Sequence, residues 1–163
     1  MRYTPAEERD GLYNSLEPVA GGLGLSLVET TVSRKGESAQ IRLVVYRRAE
    51  TGAGGGKRGG YVGIDDCSAF HRAVLPLLDR AFPGADYSLE VSSPGIGRRI
   101  KDGAEFSHYT GERVRCYRTD ISDWSEGILE SSDEAGITLA GKDGSLRLAY
   151  EVIAKATLNR GEV

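Results

Sequence analysis

The chain has 163 residues, of which 39% are hydrophobic and 28% are charged. That balance supplies enough apolar side chains for packed cores and excludes a wholly disordered chain. Lysine and arginine number 21 against 24 aspartate and glutamate, which gives a net charge of −3 at pH 7. An acidic chain of this kind is not a strongly basic nucleic-acid clamp, so any contact with a polyanion has to come from a local group of cations.

The sequence predicts neither a membrane span nor an export signal. The apolar stretch Pro18–Val28 is too short to cross a bilayer, and charged residues at Glu7–Asp10 precede it. The two cysteines, Cys67 and Cys116, match no metal-ligand or redox spacing. Two free thiols without an export signal are typical of the reducing cytoplasm, where we expect this protein to be.

The first half of the chain predicts a two-layer α/β domain with the order helix, strand, strand, helix, strand. Thr4–Glu7 is typical of a capping box that begins the first helix, and Pro18 is expected to bend or end it. Asp65 is expected to cap the second helix, and Pro76 to bend or shorten it. Strands are predicted at Leu25–Val32, Gln40–Tyr46 and Tyr87–Val91. The expected core consists of Leu27, Leu43, Val45, Phe70, Val74 and Leu89.

After Pro94-Gly95 the pattern changes to short strands separated by turns, which is typical of a small closed or half-closed β-barrel. A short helical piece is predicted at Asp102–Tyr109 and a helical turn at Glu151–Lys155. Strands are predicted at Val114–Arg118, Ser125–Glu130, Gly136–Ala140, Ser145–Tyr150 and Ala156–Leu158. The expected core consists of Val114, Cys116, Ile128, Leu139, Leu148 and Ile153. We therefore divide the chain into domains 1–95 and 96–163, with net charges of −1 and −2.

Several patterns imitate a catalytic or nucleotide site but lack its context. Seven glycines fall within residues 52–63 and include G-x-G-x-x-G, yet no helix follows directly, so we interpret residues 52–60 as a flexible hairpin tip. Asp65-Asp66 fits a helix start better than a metal site, and His71 and His108 stand alone. No spacing indicates a catalytic triad. We expect no enzyme activity, no cofactor and no metal.

The segment between the two halves is more informative. A strand leads into Ser92-Ser93-Pro94-Gly95, and three cations follow at Arg98, Arg99 and Lys101. One interpretation is an ordinary linker stiffened by proline. The other is a junction that sets the orientation of the domains and presents these three cations to an anion.

Residues 87–95, YSLEVSSPG, resemble the signature of the bacterial ribosome maturation factor RimP family. The resemblance covers roughly residues 12–158. Further similar segments are Gly24–Glu29, Asp65–Cys67, Phe106–Val114 and Ile153–Leu158. The motif residues in place are Glu90, Ser92, Ser93, Pro94, Gly95 and Arg98. Gly97 and Arg99 stand where the family usually has Asp and Pro, which makes this junction looser and more basic.

The resemblance implies an N-terminal α/β domain and a C-terminal SH3-like, Sm-like barrel. It implies a non-enzymatic factor that binds the immature small (30S) ribosomal subunit and assists its late assembly, through a ribosomal protein or RNA near the decoding region. We expect a cytoplasmic monomer in which Ser92–Gly95 orient the domains, while Arg98 contacts a partner or Glu90.

Two other functions remain open at this point. A general RNA-binding module would use the barrel face around Arg113, Arg115, Tyr117 and Arg118, where cations alternate with an aromatic ring. The acidic net charge argues against it. A nucleotide-dependent enzyme would show specific ATP or GTP turnover.

Overall fold

The computed structural model describes residues 1–47, 62–84, 86–95 and 97–159. In these ranges the chain forms two α-helices, three short 3₁₀ helices and nine strands, an α+β architecture. The described residues group into two compact units, the first with residues 9–47, 62–84 and 86–94 and the second with residues 1–8, 95 and 97–159. The glycine-rich segment 52–60, interpreted above as a hairpin tip, lies outside the described residues.

The first unit packs two helices on one face of a three-stranded sheet. Its helices are α1 (Gly11–Gly22) and α2 (Ile64–Ala81), and its strands are β1 (Leu25–Lys35), β2 (Ser38–Arg47) and β3 (Asp86–Ser92). The sheet order is β1-β2-β3, with β1 and β2 antiparallel and β2 and β3 parallel. Gly36, with φ of +59°, makes the tight turn between β1 and β2.

The helix starts differ from both predictions. Asp10, not Thr4, caps α1, because its Oδ1 accepts the Leu12 backbone N–H at 3.0 Å. The Thr4 hydroxyl instead donates to Asp102 Oδ2 at 2.6 Å. Gly63, not Asp65, is the N-cap of α2, and the carboxylate of Asp66 accepts the Gly63 N–H at 3.1 Å.

Neither internal proline shortens its helix. Pro18 and Pro76 are both exposed, whereas the opposite helix faces bury Leu16 and Leu78 completely. A single lost backbone hydrogen bond on the solvent side is therefore outweighed by packing of the buried face. The helices continue to Gly22 and Ala81.

The core of the first unit contains five of the six residues predicted for it. Leu27, Leu43, Val45, Phe70 and Val74 are fully buried. Leu89 is only partly buried against this cluster, because β3 is the last strand of the described sheet and receives packing from fewer sides.

The second unit is a six-stranded antiparallel sheet in the order β4-β9-β5-β6-β7-β8. The strands are β4 (Arg99–Ile100), β5 (Arg113–Arg118), β6 (Asp123–Ser132), β7 (Gly136–Gly141), β8 (Gly144–Ala149) and β9 (Ile153–Leu158). The 3₁₀ helices Gly103–Tyr109 and Tyr150–Val152 lie between strands. Strand β4 was not predicted, and β9 begins at Ile153, where a helical turn was expected.

The predicted core of the second unit is wrong at one residue. Val114, Cys116, Leu139, Leu148 and Ile153 are buried, but Leu129 is buried in place of Ile128. Gly127 shares the inward face of β6 with Leu129, and a Cβ at Gly127 would lie only 2.6 Å from the Ala140 carbonyl oxygen. Glycine adds no apolar side chain to the inward face of β6. The alternation of apolar residues therefore indicated the other face of the strand, and Ile128 was predicted in place of Leu129.

Residues 1–8 belong to the second unit, whereas the sequence pattern predicted one N-terminal domain for all of residues 1–95. The Met1 ammonium group donates to the carbonyl oxygens of Tyr150 and Ile153, both at 2.7 Å. The Gly103 N–H donates to the Arg2 carbonyl at 2.7 Å. Residues 1–8 therefore pack with residues that follow them by about 100 to 150 positions.

Replacing Gly136 with alanine should destabilise the second unit by about 1–3 kcal/mol, the usual cost of overpacking. A Cβ at Gly136 would overlap the Leu148 carbonyl oxygen and lie 3.0 Å from the Cα of Ala149. At Gly141, on the same strand, the nearest atom would be 3.7 Å away, so Gly141→Ala is the matched control. Urea unfolding followed by fluorescence of Trp124, the single tryptophan, measures both. Equal midpoints for the two variants would contradict this close approach.

Candidate functional site

The predicted junction begins on β3, where Glu90 forms a surface ion pair. The parallel register places Glu90 opposite Arg42, and the Arg42 Nε lies 3.3 Å from Glu90 Oε2. Both side chains are more than half exposed. An exposed pair of this kind contributes little to stability, so Glu90 mainly sets the local charge of this sheet edge.

Ser92 and Ser93 lie at the end of β3 and line an open groove of about 760 Å³ in the first unit. The start of α2 forms the opposite side with Ile64, Cys67 and His71. Ile64 is 86% exposed, which is unusual for a large apolar side chain.

Pro94 is buried, Gly95 is exposed, and the Gly95 carbonyl accepts the Arg98 N–H at 3.1 Å, closing a turn. An orienting role for Ser92–Gly95 stays a prediction.

Arg98 lies in a buried polar cluster of the second unit. Its Nε lies 2.7 Å from Glu105 Oε1, and the Tyr109 hydroxyl donates to the same oxygen at 2.9 Å. The Lys101 backbone N–H donates to Glu105 Oε2 at 3.2 Å. Burial and the neighbouring Glu105 carboxylate raise the pKa of Tyr109 far above its ordinary value. We expected Arg98 to contact a partner or Glu90, but its ion-pair partner in the structure is Glu105.

This cluster changes the interpretation of the three junction cations. The Arg98 side chain is only 11% exposed, so its guanidinium is not a surface cation available to a polyanion. Arg99 and Lys101 are exposed, the first on β4 and the second directly after it. Positive charge at the junction is therefore carried by Arg99 and Lys101.

A second group of cations lies on the outward face of the six-stranded sheet. Paired residues on neighbouring strands point to the same side, so the strand register identifies this face. One row consists of Arg99, Thr157, Arg115 and Glu126, and the next of Lys155, Tyr117 and Trp124. We call Arg99, Arg115, Tyr117, Trp124 and Lys155 the cation–aromatic face. The three cations are exposed and the two rings are half-buried.

The contacts within this face hold the rings in place. The guanidinium carbon of Arg115 lies 4.3 Å from the centroid of the Trp124 ring, and Tyr117 meets Trp124 edge to face at 5.4 Å. The carboxylate of Glu126, which shares the first row, pairs with Arg113 at 2.8 Å. The face therefore combines a net positive charge with two supported aromatic rings.

The sequence pattern predicted only part of this face. Arg115 and Tyr117 were predicted, but so was Arg118, which pairs with Asp120 at 2.6 Å and is only 16% exposed. Trp124, Lys155 and the place of Arg99 beside them were not predicted, because these residues come from three strands. The pairing of Tyr117 with Trp124 across the β5–β6 hairpin is the signal that would have found the tryptophan.

The other sequence candidates have local structural roles. The Asp66 carboxylate accepts the N–H of Gly63, the N-cap of α2, and forms an ion pair with Arg47. In the described ranges, no group of three His, Cys, Asp or Glu side chains is placed to hold a metal ion. In the same ranges, no helix combines the length and the apolar character that crossing a bilayer requires.

The two thiols should differ in reactivity. Burial raises the pKa of Cys116 to about 12, and its side chain is fully buried. Cys67 is only partly buried, and its pKa is raised by burial and by Asp66. At pH 8 we expect N-ethylmaleimide to modify Cys67 first and Cys116 only as the second unit opens. Mass spectrometry of timed samples checks this, and equal rates at the two thiols would contradict the burial of Cys116.

Comparison with known proteins gives one consistent result. The family model described as the RimP N-terminal domain matches residues 15–97. A protein named ribosome maturation factor RimP from Borrelia turicatae (strain 91E135) is 26% identical over 148 residues, which cover 91% of this chain and 94% of that protein. The protein of the same name from Borrelia hermsii (strain HS1 / DAH) is 24% identical over the same shares of both chains. The chain belongs to the RimP family.

Proposed function

We propose that this protein is a ribosome maturation factor that binds the immature small (30S) ribosomal subunit and assists its late assembly. The observation that carries the proposal is the alignment over 91% of the chain with proteins named ribosome maturation factor RimP. The action is binding alone, without catalysis or cofactor. Such a factor shifts an assembly equilibrium only if it binds the immature particle more tightly than the finished one.

The form of the second unit supports the proposal. Its strand lengths and its antiparallel order β4-β9-β5-β6-β7-β8 are compatible with an SH3-like barrel. A ribosomal particle is a polyanion, and the acidic net charge of the chain limits non-specific attraction to RNA. Attraction then has to come from local cations, and Arg99, Lys101 and the cation–aromatic face supply them. We infer that the protein acts as a monomer in the cytoplasm, where its partner is a ribosomal protein or RNA near the decoding region of the small subunit.

Co-sedimentation tests the proposal. The protein is mixed separately with immature small subunits from cells that lack it, with large subunits and with intact ribosomes, and each mixture is run on a sucrose gradient. We expect the protein to move with the small-subunit peak alone. Equal recovery in all three peaks would favour the general RNA-binding module, and recovery at the top of every gradient would contradict ribosome binding.

A further inference from the structure

We propose that the cation–aromatic face binds a single-stranded segment of RNA, with bases stacked on its rings and phosphates held by its cations. The inference rests on the proposed function, because it assigns the RNA of the ribosomal particle as the ligand of this face. The inference is based on the strand register, which brings five residues from four neighbouring strands to one face of the sheet: Arg99, Arg115, Tyr117, Trp124 and Lys155.

The arrangement suits a chain of nucleotides lying across the strands. Neighbouring strands are about 4.8 Å apart, so the row from Arg99 on β4 to Glu126 on β6 extends about 14 Å. Cations stand at Arg99 and Arg115 in this row and at Lys155 in the next. A strand of RNA crossing from β4 to β6 passes these cations first and then meets the two rings on β5 and β6.

Trp124 and Arg115 together form a stacking surface. The guanidinium lies over the indole ring at 4.3 Å, and Tyr117 supports the ring from its edge. Unpaired bases stack on aromatic rings and also on the plane of an arginine guanidinium. The Arg115 guanidinium is exposed and the Trp124 ring is half-buried, so a base reaches both from solvent without opening the core.

The chemistry favours unpaired RNA over other partners. An acidic peptide would bind the cations but would make no specific contact with the two half-buried rings. The outer face of a sheet does not enter the deep, narrow major groove of a paired RNA helix, whereas unpaired bases turn outward and stack. The cations and rings together therefore point to a single strand.

The first test uses fluorescein-labelled ten-nucleotide poly(U), with binding measured by fluorescence anisotropy. Trp124→Ala should weaken binding about tenfold, because stacking on an aromatic side chain is worth roughly that factor or more per base. Trp124→Phe keeps a ring and should recover most of the affinity. Because both variants lack the single tryptophan, their urea unfolding is followed by tyrosine fluorescence, and midpoints equal to that of the wild-type protein show that they are folded. Equal affinity of Trp124→Ala and the wild-type protein for poly(U) would overturn the inference.

The second test separates charge from stacking. Arg99→Glu with Lys155→Glu leaves the stacking surface intact; it should weaken poly(U) binding and reduce its logarithmic salt slope by about 0.7 for each lost phosphate contact. The matched control is Arg80→Glu with Lys142→Glu, which reverses two exposed cations outside the face and should leave both values unchanged. An equal loss in both double variants would overturn the inference, since it would show attraction by net charge alone.

The third test uses the particle itself. Ultraviolet crosslinking of the protein to small subunits, followed by trypsin, should place a nucleotide adduct on the peptide 119–142, which contains Trp124. The inference fails and the proposed function stands if two results occur together: Trp124→Ala co-sediments with small subunits as well as the wild-type protein does, and the wild-type peptide 119–142 carries no adduct. If the wild-type protein does not co-sediment, the proposed function fails, and poly(U) alone decides whether this face binds RNA.

Discussion

Replacing Glu105 with alanine will lower the free energy of unfolding of the second unit by about 3–5 kcal/mol, the loss typical when one partner of a buried ion pair is removed. Glu105 is 6% exposed and accepts from Arg98 at 2.7 Å, from the Tyr109 hydroxyl at 2.9 Å and from the Lys101 N–H at 3.2 Å. Without the carboxylate, the Arg98 guanidinium stays in a largely buried position without its ion-pair partner. Urea unfolding followed by Trp124 fluorescence gives the value.

Two comparisons make this result specific to burial. Glu126→Ala removes the carboxylate of a half-exposed pair with Arg113 and should cost less than about 1 kcal/mol. Arg98→Met combined with Glu105→Leu replaces both charges by apolar groups and should recover much of the loss. Equal costs for Glu105→Ala and Glu126→Ala would contradict a buried charge cluster at the start of the second unit.

Phe70→Ala should destabilise the first unit by about 3–5 kcal/mol, the range for removing a fully buried aromatic ring. Phe70 is 0% exposed and lies on α2, against the sheet. Leu23→Ala, at a side chain that is 38% exposed, is the control and should change stability little. Both α-helices of the described residues belong to the first unit, so circular dichroism at 222 nm follows that unit.

Each of the two units has its own core, so we expect them to unfold separately, and Phe70→Ala and Glu105→Ala together test this. Phe70→Ala should shift the transition measured at 222 nm, and Glu105→Ala the transition measured by Trp124 fluorescence. Each should leave the other signal nearly in place, because each unit has its own core. If both variants shifted both signals equally, the chain would unfold as a single cooperative unit.

Local patterns in the sequence were enough to predict most of the elements. Alternating apolar residues predicted β1, β2 and β3, and the Asp143-Gly144 turn predicted the β7–β8 hairpin. The helix caps were harder, because Thr4 met the rules for a capping box but its hydroxyl found Asp102, far along the chain. A short polar side chain forms a hydrogen bond with whichever group the tertiary fold brings near. A rule based on neighbouring residues in the sequence does not predict a partner such as Asp102.

The candidate site shows the same limit more strongly. The motif from Glu90 to Arg98 could be recognised in the sequence, but the burial of Arg98 against Glu105 depends on the 3₁₀ helix Gly103–Tyr109. The exposed cations and rings depend on strand register, which a linear pattern does not specify for Lys155 or Arg99. Residue types were therefore predictable, whereas their exposure and grouping required the fold.

We expect the protein to bind an immature small subunit more tightly than the finished one. The most direct measurement is its affinity for small subunits isolated from cells that lack this protein, compared with mature small subunits released from intact ribosomes. Both should be measured at the same salt concentration, because salt weakens every contact with a polyanion. Our account predicts binding at least about tenfold tighter to the immature particle, a preference of about 1.4 kcal/mol. Equal affinity for the two particles would contradict it.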